Sequence, residues 1–132
     1  MNQSAAHKKF IFNEKLDSGF LYSLYEDDYP YITQVFSDTI EELENSLMSF
    51  AMAFNGGEVG GLKLAAHKIK PLFGFTGLLS VQDAVSHFES HCGEVSQVGV
   101  LTDEYNLLME NIDKSKQLLI TEQIRLQEYS GK

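Results

Sequence analysis

Leu62-Lys63-Leu64-Ala65-Ala66-His67-Lys68-Ile69-Lys70-Pro71-Leu72-Phe73-Gly74-Phe75-Thr76-Gly77-Leu78 is the stretch on which the reading of this chain turns. Wound at about 100° per residue, it places Leu62, Ala65, Ala66, Leu72, Phe73 and Thr76 within about 60° of Ile69. Such a stripe predicts a helix with one buried face. His67 falls about 160° from the stripe centre and therefore points to solvent. Lys63, Lys70, Pro71 and Gly74 lie within about 60° of it, on the same outer face. The helix is expected to begin between Glu58 and Gly61 and to run to about Thr76, with Gly77 at its end as a left-handed cap.

The same periodicity extends in both directions. Asp27-Asp28 ahead of Pro30 is a helix start, because carboxylates suit the positive end of a helix and proline is tolerated in its first turn. Ile32, Val35, Phe36, Thr39, Leu43, Leu47, Phe50 and Phe54 then form one long stripe, ended by Asn55-Gly56-Gly57. Downstream, Ser80 is expected to cap a helix carrying Val81, Ala84, Val85, Phe88 and Cys92, followed by a loop from Gly93 to Gly99. Thr102-Asp103-Glu104 opens the last and longest helix, with Tyr105, Leu108, Met109, Ile112, Leu119, Ile120 and Leu126 facing inward to about Ser130. Residues 16–26 read as a short helix, and residues 1–14 as an arm that packs its aromatics. No segment alternates with period two, so the expected fold is all-α: an antiparallel four-helix bundle, residues 15–130, with an additional short N-terminal helix.

Composition narrows the class. A chain of 132 residues, 43% hydrophobic and 22% charged, suits one globular domain. A single cysteine excludes a disulfide framework and fits a reducing compartment. With no apolar run long enough for a membrane span and no apolar region after Met1-Asn2-Gln3-Ser4, a cytoplasmic location is expected. Nineteen acidic against ten basic residues give a net charge of −9, which disfavours nucleic acid or an anionic membrane as partner. Between Lys15 and Lys114 the only basic residues are Lys63, Lys68 and Lys70. That positive island in an acidic chain surrounds His67.

An exposed imidazole keeps Nε2 free as a nucleophile or phosphoryl acceptor. Lys63 and Lys70, one turn away on either side, have Cβ atoms roughly 5–6 Å from it, near enough to meet phosphoryl oxygens. Pro71 and Gly74 are compact and leave room for another protein's backbone, and Lys68 lies to one side as a docking charge. Glu89, beside Phe88 on the next helix, is a candidate to accept from Nδ1–H and so fix the tautomer that frees Nε2. Taken alone, these residues leave a plainer alternative open: a surface histidine among solvated lysines and an exposed glutamate. His87 and His91 have the spacing of zinc ligands, but Cys92 continues the apolar stripe as a core thiol and no fourth ligand stands out. The glycine pairs 56–57 and 60–61 lack the flanking strand and Lys-Ser/Thr of a phosphate-binding loop.

Residues 67–78 resemble the signature of the histidine-containing phosphotransfer family, His-x-(Leu/Ile)-Lys-Gly followed by small residues and Leu/Val-Gly. Lys70 matches the family lysine, and Gly74 and Gly77 match its later small or glycine positions. Val81, Ala84, Val85, Phe88 and Glu89 fit its next helix, and Asp27-Asp28 through Phe36 resembles its aspartate-started helix; the similarity covers roughly residues 16–126. Pro71 departs from the usual glycine, removes an N–H and should kink the helix. The resemblance implies a monomeric phosphocarrier, neither autokinase nor cofactor-binding protein. Its His67 would relay phosphoryl groups between receiver-domain aspartates of response regulators and hybrid kinases. The rival class is a helical interaction module with an inert His67.

Overall fold

The computed structural model describes residues 9–131. It contains α1 (Ser18–Tyr25), α2 (Tyr29–Asn55), α3 (Val59–Phe75), α4 (Leu79–Cys92) and α5 (Thr102–Ser130), with a 3₁₀ turn at Val98–Leu101. Among the described residues there is no strand. Helix α3 packs on α2 and α4, and α5 packs on α2 and α4, closing a four-membered ring to which α1 is added. The fold is the all-α helical bundle that the apolar stripes predict.

Each helix starts and stops for a local reason. The Asp17 carboxylate accepts from Phe20 N–H and caps α1, and Asp28 accepts from Tyr31 N–H to cap α2, with Pro30 in its first turn. Helix α2 ends where the Gly57 N–H donates to Phe54 O and the Glu58 N–H to Ala53 O, with Gly57 at φ 72. Helix α3 ends in the same way: Gly77 N–H donates to Gly74 O, Leu78 N–H donates to Phe73 O, and Gly77 sits at φ 77. These paired bonds satisfy carbonyls that a helix end otherwise leaves open, and they need a left-handed residue at the cap.

Two expectations are corrected here. Ser80 does not cap α4; Leu78 holds the cap position without a side-chain hydrogen bond and Ser80 lies in the first turn. The turn after α3 closes so tightly at Gly77 that the chain re-enters a helix before Ser80 is reached. The expected loop from Gly93 to Gly99 ends early, because Val98–Leu101 winds into the 3₁₀ turn. Pro71 lies inside α3, which continues to Phe75, and Phe73 keeps its buried place. The lost amide falls on the exposed side of the helix, where the core does not need it.

Phe36, Phe50, Phe73 and Phe88 are fully buried and centre the core, each worth about 1.5–3 kcal/mol of transfer free energy. Phe10 and Phe12 of the N-terminal arm join that core, while Ile11 between them is 79% exposed. Residues 1–8 of the expected arm lie outside the described residues. Among the described residues, no helix is long and apolar enough to cross a membrane.

A Cβ on Gly77 would stand 2.9 Å from Leu21 Cγ, in addition to the strain of its positive φ. Gly77→Ala is expected to destabilise the protein by about 2 kcal/mol or more, seen as a lower urea midpoint with an unchanged m-value.

Candidate functional site

The α3–α4 turn sets the register of its two helices. Gly74 faces Gln82, His67 faces Glu89 and Lys63 lies beside Gly93. Each of these pairs is equidistant along the chain from Leu78, as an antiparallel helical hairpin requires. A histidine on α3 and an acidic residue on α4 therefore meet only if their spacing matches the turn.

At the middle of the hairpin, His67 Nδ1 lies 2.9 Å from Glu89 Oε2, and Lys70 Nζ donates to Glu89 Oε1 at 2.9 Å. The Glu89 side chain is only 16% exposed and that of Lys70 29%, whereas His67 is 62% exposed. Burial opposes ionisation of Glu89, but hydrogen bonds from Lys70 and His67 and their positive charge outweigh it and hold its carboxyl below the ordinary carboxylate range. An ionised carboxylate can only accept, so Nδ1 carries the proton in this contact, and whenever the ring is neutral the lone pair is on Nε2. His67, Lys70 and Glu89 thus form one connected unit with the second ring nitrogen available.

The remaining expected site residues separate. Lys63 extends along α3 towards the end of α4, its Nζ 3.1 Å from where a Cβ on Gly93 would stand. There an ammonium meets the negative end of the α4 dipole. Lys70 is held by Glu89, so its present contact is with the carboxylate rather than with the space beyond Nε2. Gly74 is buried instead of open: a Cβ there would stand 2.6 Å from Gln82 Nε2, so its smallness serves the approach of α4 and not a docking partner. Pro71 and Lys68 are exposed, as expected. Lys68 borders a polar groove with Glu42, Asn45, Ser46 and Ser49.

Beside the small and basic residues of α3 lies an apolar groove of about 550 Å³ between α1, α2 and α3. Leu24, Tyr31 and Phe75 line it while remaining about half exposed, and Asp38 and Glu42 stand at its edge. Tyr31 and Phe75 lie off the buried stripes of their helices, which is the one signal in the sequence that marked them.

The zinc reading gains no geometry. His91 Nδ1 is 2.8 Å from Glu104 Oε1, and the hydrogen bond and charge of Glu104 raise the imidazole above its usual value of 6.5. Cys92 is buried, and burial pushes its thiol up to about 11. Among the described residues, no group of three or more His, Cys, Asp or Glu is placed to hold a metal ion. Compared with known proteins, the chain matches no family model, no curated protein and no solved structure.

Because Glu89 is lowered below its ordinary value of 4.5, its ionised contacts stabilise the fold fully above that value, and the contribution is lost as pH falls through the depressed native value. Glu89→Gln is expected to be about 1 kcal/mol less stable than the parent at neutral pH, since it weakens a charge-assisted bond to Lys70. The gap should close on acidification below pH 4.5. Urea unfolding across that range checks this, and a pH-independent gap would contradict it.

Proposed function

We propose that this protein is a phosphocarrier of the histidine phosphotransfer type: His67 accepts a phosphoryl group from the aspartate of one receiver domain and yields it to another. The observation that carries the reading is the exposed His67 ring with Nδ1 held by Glu89, leaving Nε2 towards solvent. The resemblance of residues 67–78 to the family signature supports it from the sequence.

In the forward step, the Nε2 lone pair forms an N–P bond as the P–O bond to the receiver aspartate breaks. The aspartate departs as carboxylate with the bonding electrons. The ring, neutral before attack, becomes a phosphoimidazolium, and its Nδ1–H points at an ionised carboxylate that offsets the new charge. Lys70 acts as a positioning residue, holding Glu89 in place and ionised. The return step reverses these bonds, with a second aspartate as acceptor. No residue pattern for nucleotide binding accompanies His67, so the phosphoryl group is expected to come from a kinase system and not directly from ATP.

Exposed Pro71 and Lys68, with the neighbouring groove, offer a face for a receiver. The alternative, an interaction module with an inert histidine, uses the same face without chemistry.

Incubation with a phosphorylated receiver, or with phosphoramidate as a small donor, is expected to give one acid-labile, base-stable phosphate on the chain. His67→Gln should abolish it while leaving the protein folded, at a cost of about 1 kcal/mol because Glu89 Oε2 loses its hydrogen bond from Nδ1. A labelled His67→Gln protein would reject the phosphocarrier, and an unlabelled parent would favour the interaction module. Lys70→Ala is expected to slow transfer at saturating receiver about tenfold, with Lys70→Arg restoring much of the rate. Lys68→Ala should act on docking alone, with an effect that fades at high salt.

A further inference from the structure

The N-terminal arm lies against the bundle as a bound peptide would. Phe10 and Phe12 are each 5% exposed while Ile11 is 79% exposed, an in–out–in alternation that puts aromatic anchors on one side of an extended segment. The main chain is read at successive points. Phe10 N–H donates to Tyr29 Oη at 3.1 Å, and Tyr22 Oη donates to Phe10 O at 2.6 Å. The two phenols are 3.1 Å apart, so with the Tyr22 proton engaged the Tyr29 hydroxyl donates to Tyr22.

Further along, Arg125 Nη2 donates to Ile11 O at 3.0 Å and Asn13 N–H donates to Glu122 Oε1 at 2.8 Å. Glu122 is 1% exposed, and its second oxygen accepts from Arg125 Nη1 at 2.6 Å. The same guanidinium lies 4.6 Å from the Phe10 ring centre. A buried carboxylate is costly unless its lone pairs are used, and here they bind the arm and the arginine that also binds the arm. Phe12 completes the fit against Tyr22 and Phe36. None of these contacts serves His67.

We propose that the cleft formed by α1, α2 and α5 is a recognition site for an extended aromatic-x-aromatic segment with basic flanks on another protein, occupied here in cis by residues 10–12. Main-chain hydrogen bonds with pockets for alternate side chains are a general mode of peptide capture. Basic flanks follow from charge. The cis segment has Lys8 and Lys9 before it and Lys15 after it, in a chain of net charge −9. A second copy is disfavoured as occupant, because exchanging arms gains no contact and joins two chains of like charge. The arm therefore acts as a tethered competitor that sets the threshold for the partner.

The probe is a fluorescent peptide with the sequence of residues 8–15, titrated into the full chain and into Phe10→Ala, which weakens the cis segment. The peptide is expected to bind Phe10→Ala at least tenfold more tightly than the parent chain. Adding Arg125→Ala should weaken that binding at least tenfold, and a peptide with both phenylalanines replaced by alanine should not bind. A folded Phe10→Ala protein that ignores the peptide at millimolar concentration overturns the proposal. If Phe10→Ala does not fold, the peptide is added in excess to the parent chain. Faster hydrogen exchange at the Phe10 and Asn13 amides then supports displacement, and unchanged exchange overturns it. A concentration-dependent dimer of the parent, lost in Phe10→Ala, would show arms exchanged between copies and would also overturn it.

Discussion

The geometry of the site depends on one constraint, the left-handed cap at Gly77. Two hydrogen bonds close the end of α3 there, and the chain enters α4 after three residues, with no slack to alter the pairing. Once that turn is made, Gly74 must face Gln82, and His67 must face Glu89 two turns further away. Leu21 of α1 fills the space over Gly77, and the Asp17 N–H donates to Gly77 O, so the same turn also seats the N-terminal helix. Register, site and entry of the chain thus share a single point of control.

Within that frame the site resolves a conflict between burial and charge. Glu89 is mostly covered, and an uncompensated carboxylate there would be costly. Lys70 and His67 each use one of its oxygens. The consequence is directional: the carboxylate engages Nδ1, and Nε2 of the exposed ring is not used by it. A glutamate at this point also binds more strongly to a cationic ring than to a neutral one, which would suit the proposed transfer, in which the ring gains charge.

The basic residues of this acidic chain are placed economically. Lys63 meets the end of α4, Lys70 holds Glu89, and Arg125 holds Glu122 and the arm, whereas Lys116 reaches only an exposed Glu44 carboxylate at 4.0 Å and Lys9 stands over the Tyr22 ring. Few cations among many carboxylates gain most where they neutralise a covered oxygen or a helix end, because screening weakens exposed pairs.

Much of this was legible in the one-dimensional pattern. Helical stripes located the four long helices, Asp28 with Pro30 marked the start of α2, and Gly77 marked the end of α3, since these features depend on local sterics and on a period of 3.6 residues. The outward position of His67 followed from the same period. What periodicity does not carry is where a neighbouring helix crosses. Gly74 and His67 share a face of α3, yet α4 covers the first and leaves the second open, and the long Lys63 side chain turns to a helix end that exists only in the assembled fold. The clasp of Glu122 and Arg125 on residues 11–13 joins chain positions more than a hundred residues apart. Local preference assigns faces and ends to single helices, whereas the covering of a residue and the partner of a buried charge arise only when distant segments compete for the same volume.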